Sequence, residues 1–569
     1  MNIEKYNISI ERDILRISED GKLSRKKFPK NIAENNQFIK KTKNNYLIKV
    51  SAIDSATALS AYEKITEITN VISEELYQEN ELIWPLDSYK LNKENIKLYT
   101  KIDISFNANF LKEEKIKDTI YKNVKQNLEN IEILKLIYGN IKIKISDNKI
   151  TISNISLNSK ERLGISINQV LFIVVVVFST LEKEDNNIFK KLLKTNKKYN
   201  LKAEEAIKQI EKEIKENNKQ EDIDLDKTIK LSKKYMEQAH KMRYTIINHD
   251  SIVAESKVLI KDAVLMGIDY KVLNENKSLV QLIKGTHKEF VIEGNKTNRD
   301  SYIFPIITDD KFTSKQIMKE AGLNVPDAIL LEKTMTDQDI EEIVKPFFNK
   351  KLVVKPRNTN YGTGITVFSE PASKKLIMNA IKYAFEFDKN ILIEQYVKGM
   401  EYRFLVIDGK CLSVAHRRIA SVVGDGTSTI EELIKEKNKE DWHALTGCPV
   451  KQDKPVEEYL KLQGLDLKSV IEKEKRVFLR TNSNCSTGGE SVDYTYTMPE
   501  RFKKIAEKAA KAFDAKICGV DIIIDDMKKS NYAIIEINDN PGYSINEWPY
   551  EGKGEKIGVS ILKLLGFIK

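Results

Sequence analysis

Gly519-Val520-Asp521-Ile522-Ile523-Ile524 and, shortly after it, Ile534-Ile535-Glu536-Ile537-Asn538-Asp539-Asn540-Pro541-Gly542 are two β-branched, apolar runs broken by isolated oxygen-bearing side chains. Both read as strands. Side chains alternate faces along a strand, so Glu536 and Asn538 share one face. Hard divalent cations such as Mg2+ take oxygen donors from a few protein groups and complete their shell with phosphates and water. Asp521, Glu536 and Asn538 are therefore candidate metal ligands, and such a metal points to nucleotide chemistry. Ordinary strand-end polar residues would look the same in isolation; what lies upstream discriminates.

Upstream, Lys351-Leu352-Val353-Val354-Lys355-Pro356 reads as a strand feeding the loop Arg357-Asn358-Thr359-Asn360-Tyr361-Gly362-Thr363-Gly364-Ile365. Glycines let backbone N–H groups approach phosphate oxygens, and Lys355 adds a point charge. Gly362, Thr363 and Gly364 are candidate phosphate-loop residues, although a hairpin turn uses a Gly-x-Gly equally well. Next, Ile391-Leu392-Ile393-Glu394-Gln395-Tyr396-Val397 is a strand that breaks into Lys398-Gly399-Met400-Glu401-Tyr402-Arg403. A hinge of this kind, from Glu394 to Val397, offers backbone groups to an adenine edge, and Glu401 is placed to accept from ribose hydroxyls.

Composition narrows the class. A chain of 569 residues has room for several domains, since single cores rarely grow past roughly 250–300 residues. Hydrophobic content of 41% and charged content of 31% describe a soluble globular protein. The formal charge of +10 is spread among intermixed Lys, Glu and Asp, with no basic block interleaved with aromatics. No nucleic-acid partner is expected, and the mild positive excess suits anionic small molecules. Cys411, Cys448, Cys485 and Cys518 include no C-x-x-C pair, which argues against a zinc site or disulfide framework and fits a reducing cytoplasm. The opening MNIEKYNISIERD lacks an apolar signal core, and the uninterrupted apolar run from Val170 to Phe178 is too short to span a bilayer. It reads as buried core, and no membrane association is expected.

Three regions are expected. Residues 1–182 hold short strand-like runs (Tyr6–Ile17, Tyr46–Ile53, Ile102–Phe110, Ile141–Leu157) with helical patterns such as Ala58–Glu81 between them. Residues 183–249 are rich in Lys and Glu at i, i+4 spacing, as in Glu204 with Lys208, and read as an exposed helical linker or arm. Residues 250–569 alternate apolar strands, Gly-containing turns and helices, as an α+β or α/β catalytic unit would.

The order of Lys315 on a helix, Lys355 before a Gly loop, Glu394 to Glu401 at a hinge and Asp521, Glu536 and Asn538 at a metal resembles the ATP-grasp ligases. The resemblance implies an α+β ATP-grasp fold, ATP, and Mg2+ with Mn2+ as an alternative. A tighter similarity follows. Val423-Gly424-Asp425-Gly426-Thr427-Ser428-Thr429-Ile430-Glu431-Glu432-Leu433-Ile434 looks like a motif shared by cyanophycin synthetases and the glutathione synthetase half of bacterial bifunctional glutathione enzymes. Leu479-Arg480-Thr481-Asn482-Ser483-Asn484, Ser486-Thr487-Gly488-Gly489 and Lys516-Ile517-Cys518-Gly519-Val520-Asp521 favour the second group. The N-terminal region resembles the glutamate–cysteine ligase half of the same enzymes in Ile10-Glu11-Arg12-Asp13-Ile14-Leu15-Arg16 and Leu82-Ile83-Trp84-Pro85-Leu86. There the chain departs from the pattern. The region is short, Asn45 and Lys49 stand where acidic residues belong, and Ser105 stands in the place of a ligand histidine. A cationic Lys49 repels divalent ions, so this half is expected to be a shortened, inactive remnant kept for packing, positioning or homodimerisation.

By resemblance, the C-terminal half transfers the ATP γ-phosphate to a substrate carboxylate, and an amine then displaces phosphate from the acyl phosphate. The resemblance gives Arg480 and Asn482 as catalytic residues. His416, Arg417 and Arg418 are candidates for an anionic substrate, with a solvated strand-end charge the alternative for Arg417. The expected reaction is glutathione synthesis from γ-glutamylcysteine and glycine. Gly542-Tyr543-Ser544-Ile545-Asn546-Glu547-Trp548 departs from the glutathione-making pattern, and Glu547 with Trp548 favours a different amine. A ligase for another peptide or amino-acid pair is therefore the alternative; a bifunctional enzyme and a non-catalytic ATP-binding scaffold are the others.

Overall fold

The computed structural model describes residues 6–44, 46–55, 58–83, 88–91, 94–106, 142–146, 149–156, 225–241, 245–359, 363–480 and 483–569. They fall into two compact units, residues 1–248 with 264–268, and residues 249–263 with 269–569. The apolar run Val170–Phe178 and the Glu204–Lys208 pair lie outside the described residues, as do Asn45, Gly362 and Asn482.

Two antiparallel sheets carry the second unit. One consists of β1 (Ala328–Glu332), β2 (Lys350–Pro356), β3 (Thr366–Ala372) and β4 (Asn390–Gln395) in the order β1-β4-β2-β3. The other consists of β5 (Met400–Ile407), β6 (Lys410–Arg418), β7 (Glu490–Asp493), β8 (Ile517–Ile524) and β9 (Tyr532–Asn538) in the order β7-β6-β5-β8-β9. Helix α1 (Ile303–Asp309) leads into α2 (Lys311–Glu320), which begins where the Asp310 carboxylate accepts from the Phe312 and Thr313 amides. Helix α3 (Lys374–Ala384) covers the first sheet, and α4 (Glu500–Ala512) covers the second.

Period decides which face each helix finds. In α4, Phe502, Ala506, Ala509 and Ala510 form a buried stripe whose alanines bring the helix close to Tyr402, Phe404, Val406, Val520 and Ile522. In α3, Ile377, Ala380, Ile381 and Ala384 pack with Leu352, Val354, Ile391 and Ile393. Each large apolar side chain so buried contributes about 1.5–3 kcal/mol. The alternate residues of β5 and β8, among them Glu401, Arg403 and Asp521, are left for the opposite face.

The first unit holds a sheet ordered Ile39–Lys41, Leu47–Ser55, Tyr6–Ile17, Tyr99–Phe106, Lys149–Ser156, Lys142–Ser146, with Leu82–Ile83 also paired to Tyr6–Ile17. Helix Ala58–Gln78 packs on it. Arg16, fully buried, is held by Glu81 through Nη2 at 2.6 Å and Nε at 3.1 Å. The expected linker or arm needs correction at its C-terminal end. Helix Leu225–Lys241 packs in this unit, with Thr228, Ser232 and Met236 buried at i, i+4, i+8 spacing. Among the described residues no helix is long and apolar enough to cross a membrane.

Candidate active site

The charged face of the second sheet is set by strand register. Arg403 lies opposite Asp521, Asp521 opposite Glu536, and Gly519 opposite Asn538. Asp521 takes the Arg403 guanidinium, whose Nη2 is 2.6 Å from Oδ2, and Arg417 approaches the same oxygen to 3.4 Å. Burial disfavours the Asp521 charge, but Arg403 and Arg417 outweigh it and hold the carboxyl below its usual range. Glu536 is pushed the other way, by burial and then by the Asp521 charge. The Asn538 amide nitrogen lies 3.5 Å from both Asp521 Oδ2 and Glu536 Oε1. Among the described residues no three His, Cys, Asp or Glu side chains cluster for a metal, so the third donor here is an amide. The set nevertheless fits a hard divalent cation. The two carboxylates, with the Asn538 amide turned to present its oxygen, offer oxygen donors, and the repulsion between the acids that adds to burial in raising Glu536 is what a cation between them relieves.

A second charged cluster is built from the other sheet and from α2. Lys355 Nζ is 2.9 Å and Lys315 Nζ 3.4 Å from Glu394 Oε1, all three side chains being almost completely buried. Lys315 also donates to the Ile535 carbonyl at 3.1 Å, beside Glu536. Burial and then the Lys355 charge bring Lys315 down to about 8, with Glu394 opposing. Burial disfavours the Glu394 charge too, but Lys355 and Lys315 leave it net lowered. Lys311, at the start of α2, is buried, feels the charges of Glu536 and Lys355, and donates to the Thr359 carbonyl. Its ammonium is lowered chiefly by burial. Arg357 Nε donates to Asp310 at 2.8 Å, fastening the loop to the α2 cap.

The Gly loop is the connection of the β2–β3 hairpin. Gly364 adopts φ +73°, and a Cβ there would stand 2.7 Å from Pro356 Cγ and 2.8 Å from Phe387 Cδ2. Thr363 is exposed, and its carbonyl accepts from Thr359 Oγ1 at 2.9 Å. At the hinge, the Gln395 amide is taken by the Asp327 carbonyl at 3.0 Å. A cavity of about 290 Å³ opens beside it, and of the residues expected to hold nucleotide Val397 lines its wall while Lys315, Lys355, Glu394 and Glu401 do not.

Three expectations are corrected. His416 and Arg418 fall on the face opposite Arg417, as alternation along β6 requires. His416 Nδ1 donates to the Glu401 carbonyl at 2.9 Å, and its ring packs with Tyr402 and Tyr494. Arg418 is bound by Glu490 at 2.6 Å and Glu551 at 3.1 Å. Arg417 alone turns to the site, where it pairs with Glu401. Glu547 is buried and accepts from the Ile557 amide at 3.1 Å, so it is not available to an incoming amine. Arg480 is buried with Asp453 at 2.5 Å, Asp453 being the cap of helix Lys454–Leu462. The sequence reading missed Lys311 and Arg403. Arg403 was accessible by period two from Glu401, and Lys311 from its place directly after the helix-capping Asp310.

Residues 308–542 match a family described as an ATP-grasp domain, and residues 256–303 one described as an ATP-grasp-like domain. The second unit is thus an ATP-grasp domain, a class that uses ATP with divalent metal ions. Over as much as 84% of its length the chain is similar to the glutathione biosynthesis bifunctional proteins. The one named GshAB from Clostridium perfringens (strain 13 / Type A) is 34% identical over 495 residues, 84% of this chain and 60% of that protein. Its counterpart from Enterococcus faecalis (strain ATCC 700802 / V583) is 37% identical over 341 residues, 58% of this chain and 45% of that protein. The chain thus spans between about half and three fifths of the curated relatives it matches. A crystal structure of a bifunctional glutathione synthetase from Pasteurella multocida aligns with TM-score 0.73 at 21% identity, covering 99% of this chain and 98% of that one.

Proposed function

We propose that the chain is an ATP-dependent carboxylate–amine ligase of the glutathione synthetase type, joining γ-glutamylcysteine to glycine. The observation that carries this reading is the buried cluster in which Lys315 and Lys355 meet Glu394, with Lys315 also reaching the Ile535 carbonyl beside Glu536 and Lys311 buried at the start of the same helix. Phosphoryl transfer to a carboxylate needs positioning and charge neutralisation more than covalent help from the protein. The three ammonium groups bind the polyphosphate, and Glu394 holds two of them apart from bulk water. Mg2+, with Mn2+ as an alternative, held by Asp521, Glu536 and Asn538, supplies neutralisation of the phosphate oxygens. Arg403 keeps Asp521 ionised whether or not a cation is present. Arg417, lifted in pKa by Asp521 and Glu401 against its own burial, stays charged and faces the acid being activated. By the family resemblance, Gly362, Thr363 and Gly364 are assigned to the phosphates, Glu394 to Val397 and Glu401 to the nucleoside, and Arg480 and Asn482 to the acyl phosphate.

The first unit is read as inactive. Lys49 Nζ lies 2.8 Å from Glu11 Oε1 and 3.4 Å from Asp13 Oδ1, so a fixed ammonium occupies the space between two acids that a cation would need.

A panel of γ-glutamyl dipeptides against amino acids, scored by ADP release and product mass, tests the reading. Glycine-dependent ADP release with glutathione as product is expected, and Glu536→Gln should abolish it without unfolding the chain. ATP hydrolysis indifferent to any dipeptide would leave a nucleotide-binding scaffold, and a different product mass would leave a ligase of another substrate pair.

A further inference from the structure

One carboxylate, that of Asp310, joins the start of α2 to the stem of the β2–β3 loop, 47 positions away. Its Oδ1 accepts from the Phe312 amide at 3.1 Å, the Thr313 amide at 3.2 Å and Arg357 Nε at 2.8 Å. Its Oδ2 accepts from Thr313 Oγ1 at 2.7 Å and from Arg357 Nη2. The same two oxygens therefore cap the helix and grip a guanidinium side-on. Arg357 is itself fixed through its backbone. Its amide donates to the Asn390 carbonyl at 3.0 Å, and its carbonyl accepts from the Lys311 amide at 3.5 Å. The next amide, that of Asn358, donates to Asp388 Oδ2 at 2.9 Å.

The lysines of the cluster hang from the two elements so joined. Lys311 and Lys315 lie one turn apart on α2, and Lys355 stands two positions before Arg357 on β2. Within the cluster, Glu394 ties α2 to β2 by holding Lys315 at 3.4 Å and Lys355 at 2.9 Å. Lys311 Nζ in turn donates to the Thr359 carbonyl. Both of these ties are made by ammonium groups, and a polyphosphate draws on the same groups. The Asp310–Arg357 pair uses none of them. It holds the spacing of α2 and β2 whether the lysines face protein oxygens or phosphate. We propose that Arg357 is a positioning residue: through Asp310 it keeps the start of α2 against the loop stem, so that Lys311, Lys315 and Lys355 meet one polyphosphate together.

The physical need for such a tie is plain. Ammonium groups gathered in one buried cluster repel, and the repulsion pushes their elements apart until an anion arrives. A guanidinium gripped by both oxygens of a carboxylate fixes distance and orientation together, which a single ammonium contact does not. Arg357 is 25% exposed and Asp310 23%, so the pair is only partly screened by solvent. The hydrogen bond from Arg357 holds Asp310 well below the usual carboxylate range, so the pair stays ionised near neutral pH and adds no pH dependence of its own.

The inference rests on the nucleotide part of the proposed function, since it concerns how ATP is held, and not on which acid and amine are joined. Asp310→Asn is the informative variant. Asparagine caps a helix as well as aspartate does, yet it lacks the charge and the second acceptor oxygen that Arg357 takes. In the full chain, Asp310→Asn and Arg357→Gln should each raise the KM for ATP by about tenfold, the scale of one lost charge-assisted pair. The KM for dipeptide, and kcat at saturating ATP, should move by less than about twofold. The double variant should be no worse than either single one, because both changes break the same pair. Arg357→Lys, which keeps the charge and loses the fork, should recover only part of the affinity. Titration with ATP alone and thermal melts accompany the kinetics. An unchanged KM for ATP, additive effects in the double variant, or equal rises in every KM with a lowered melting temperature overturns the positioning role. Weakened ATP binding by the variants of a chain that makes no glutathione leaves the positioning role standing and refutes the glutathione synthetase reading instead. A parent chain that binds no ATP overturns both.

Discussion

Arg403 and Asp521 face each other across β5 and β8, and the carboxylate, 2% exposed, has its counter-charge built into the neighbouring strand. A buried acid in a metal set is costly when the metal is away. Here the guanidinium carries that cost, so the domain should fold fully without cation or nucleotide. Arg403→Met should destabilise it by about 3 kcal/mol, the range for an orphaned buried charge. Adding Asp521→Asn should recover a large part of the loss. Urea denaturation of both single variants and the double variant, without metal, measures the coupling; additive effects would mean that the pair is no counter-charge.

Alternation along β6 separates three adjacent basic residues by face. Arg417→Met should lower kcat/KM by ~100-fold or more, the scale for loss of a preorganised charge. Arg418→Met should leave KM unchanged and destabilise by about 1–2 kcal/mol, since Glu490 keeps Lys437 as a partner. His416→Ala should likewise act on stability, through its ring contacts. Steady-state kinetics beside thermal melts distinguishes the two faces, and a large KM effect from Arg418 would contradict the placement.

The same alternation explains what the sequence disclosed. Period two puts Glu536 and Asn538 on one face of their strand in the sequence, and the register of β8 against β9 then sets Asp521 opposite Glu536. The hinge and the β2–β3 hairpin were legible from strands breaking at polar residues. Reading His416, Arg417 and Arg418 as one patch followed linear adjacency where the strand imposes alternation. Lys311 went unread because nothing in the periodicity says which turn of α2 lies over the loop; the Asp310–Arg357 clasp decides that, and it is a tertiary contact. Thr228 and Ser232 gave no sign of burial, since a small polar stripe mimics a solvated helix face.

Lys315 gives the site a pH dependence of two signs. Its ammonium falls from 10.5 to about 8 on folding, by burial and then by Lys355. The unfolded chain therefore holds this proton more firmly, and the residue's cost to stability, fully present below about pH 8, is relieved as pH rises toward about 10.5. Polyphosphate binding runs the other way, because it needs the charge. Between ~pH 7 and ~pH 9.5, ATP affinity should weaken while the contribution of Lys315 to stability improves. Lys315→Gln should bind ATP more weakly throughout and with a shallower pH slope, as isothermal titration would show. An unchanged slope would remove Lys315 from the polyphosphate site.

Lys49 makes a prediction of absence in the first unit. Its ammonium is held above its usual value: burial opposes the charge, and the hydrogen bond to Glu11 with the charges of Asp13 and Glu11 outweighs it. Lys49, 41% exposed, pairs with Glu11, 38% exposed, so the pair is worth less than about 1 kcal/mol and its loss should barely move stability. Lys49→Glu restores an acid but brings three carboxylates together with no ligand from the Ser105 position. Incubated with glutamate, cysteine and ATP, neither the parent chain nor Lys49→Glu should form γ-glutamylcysteine by mass spectrometry. Product from the parent would show that the ammonium does not block this unit. Product from the variant alone would show that charge at this one position, rather than the missing ligands, is what silences it.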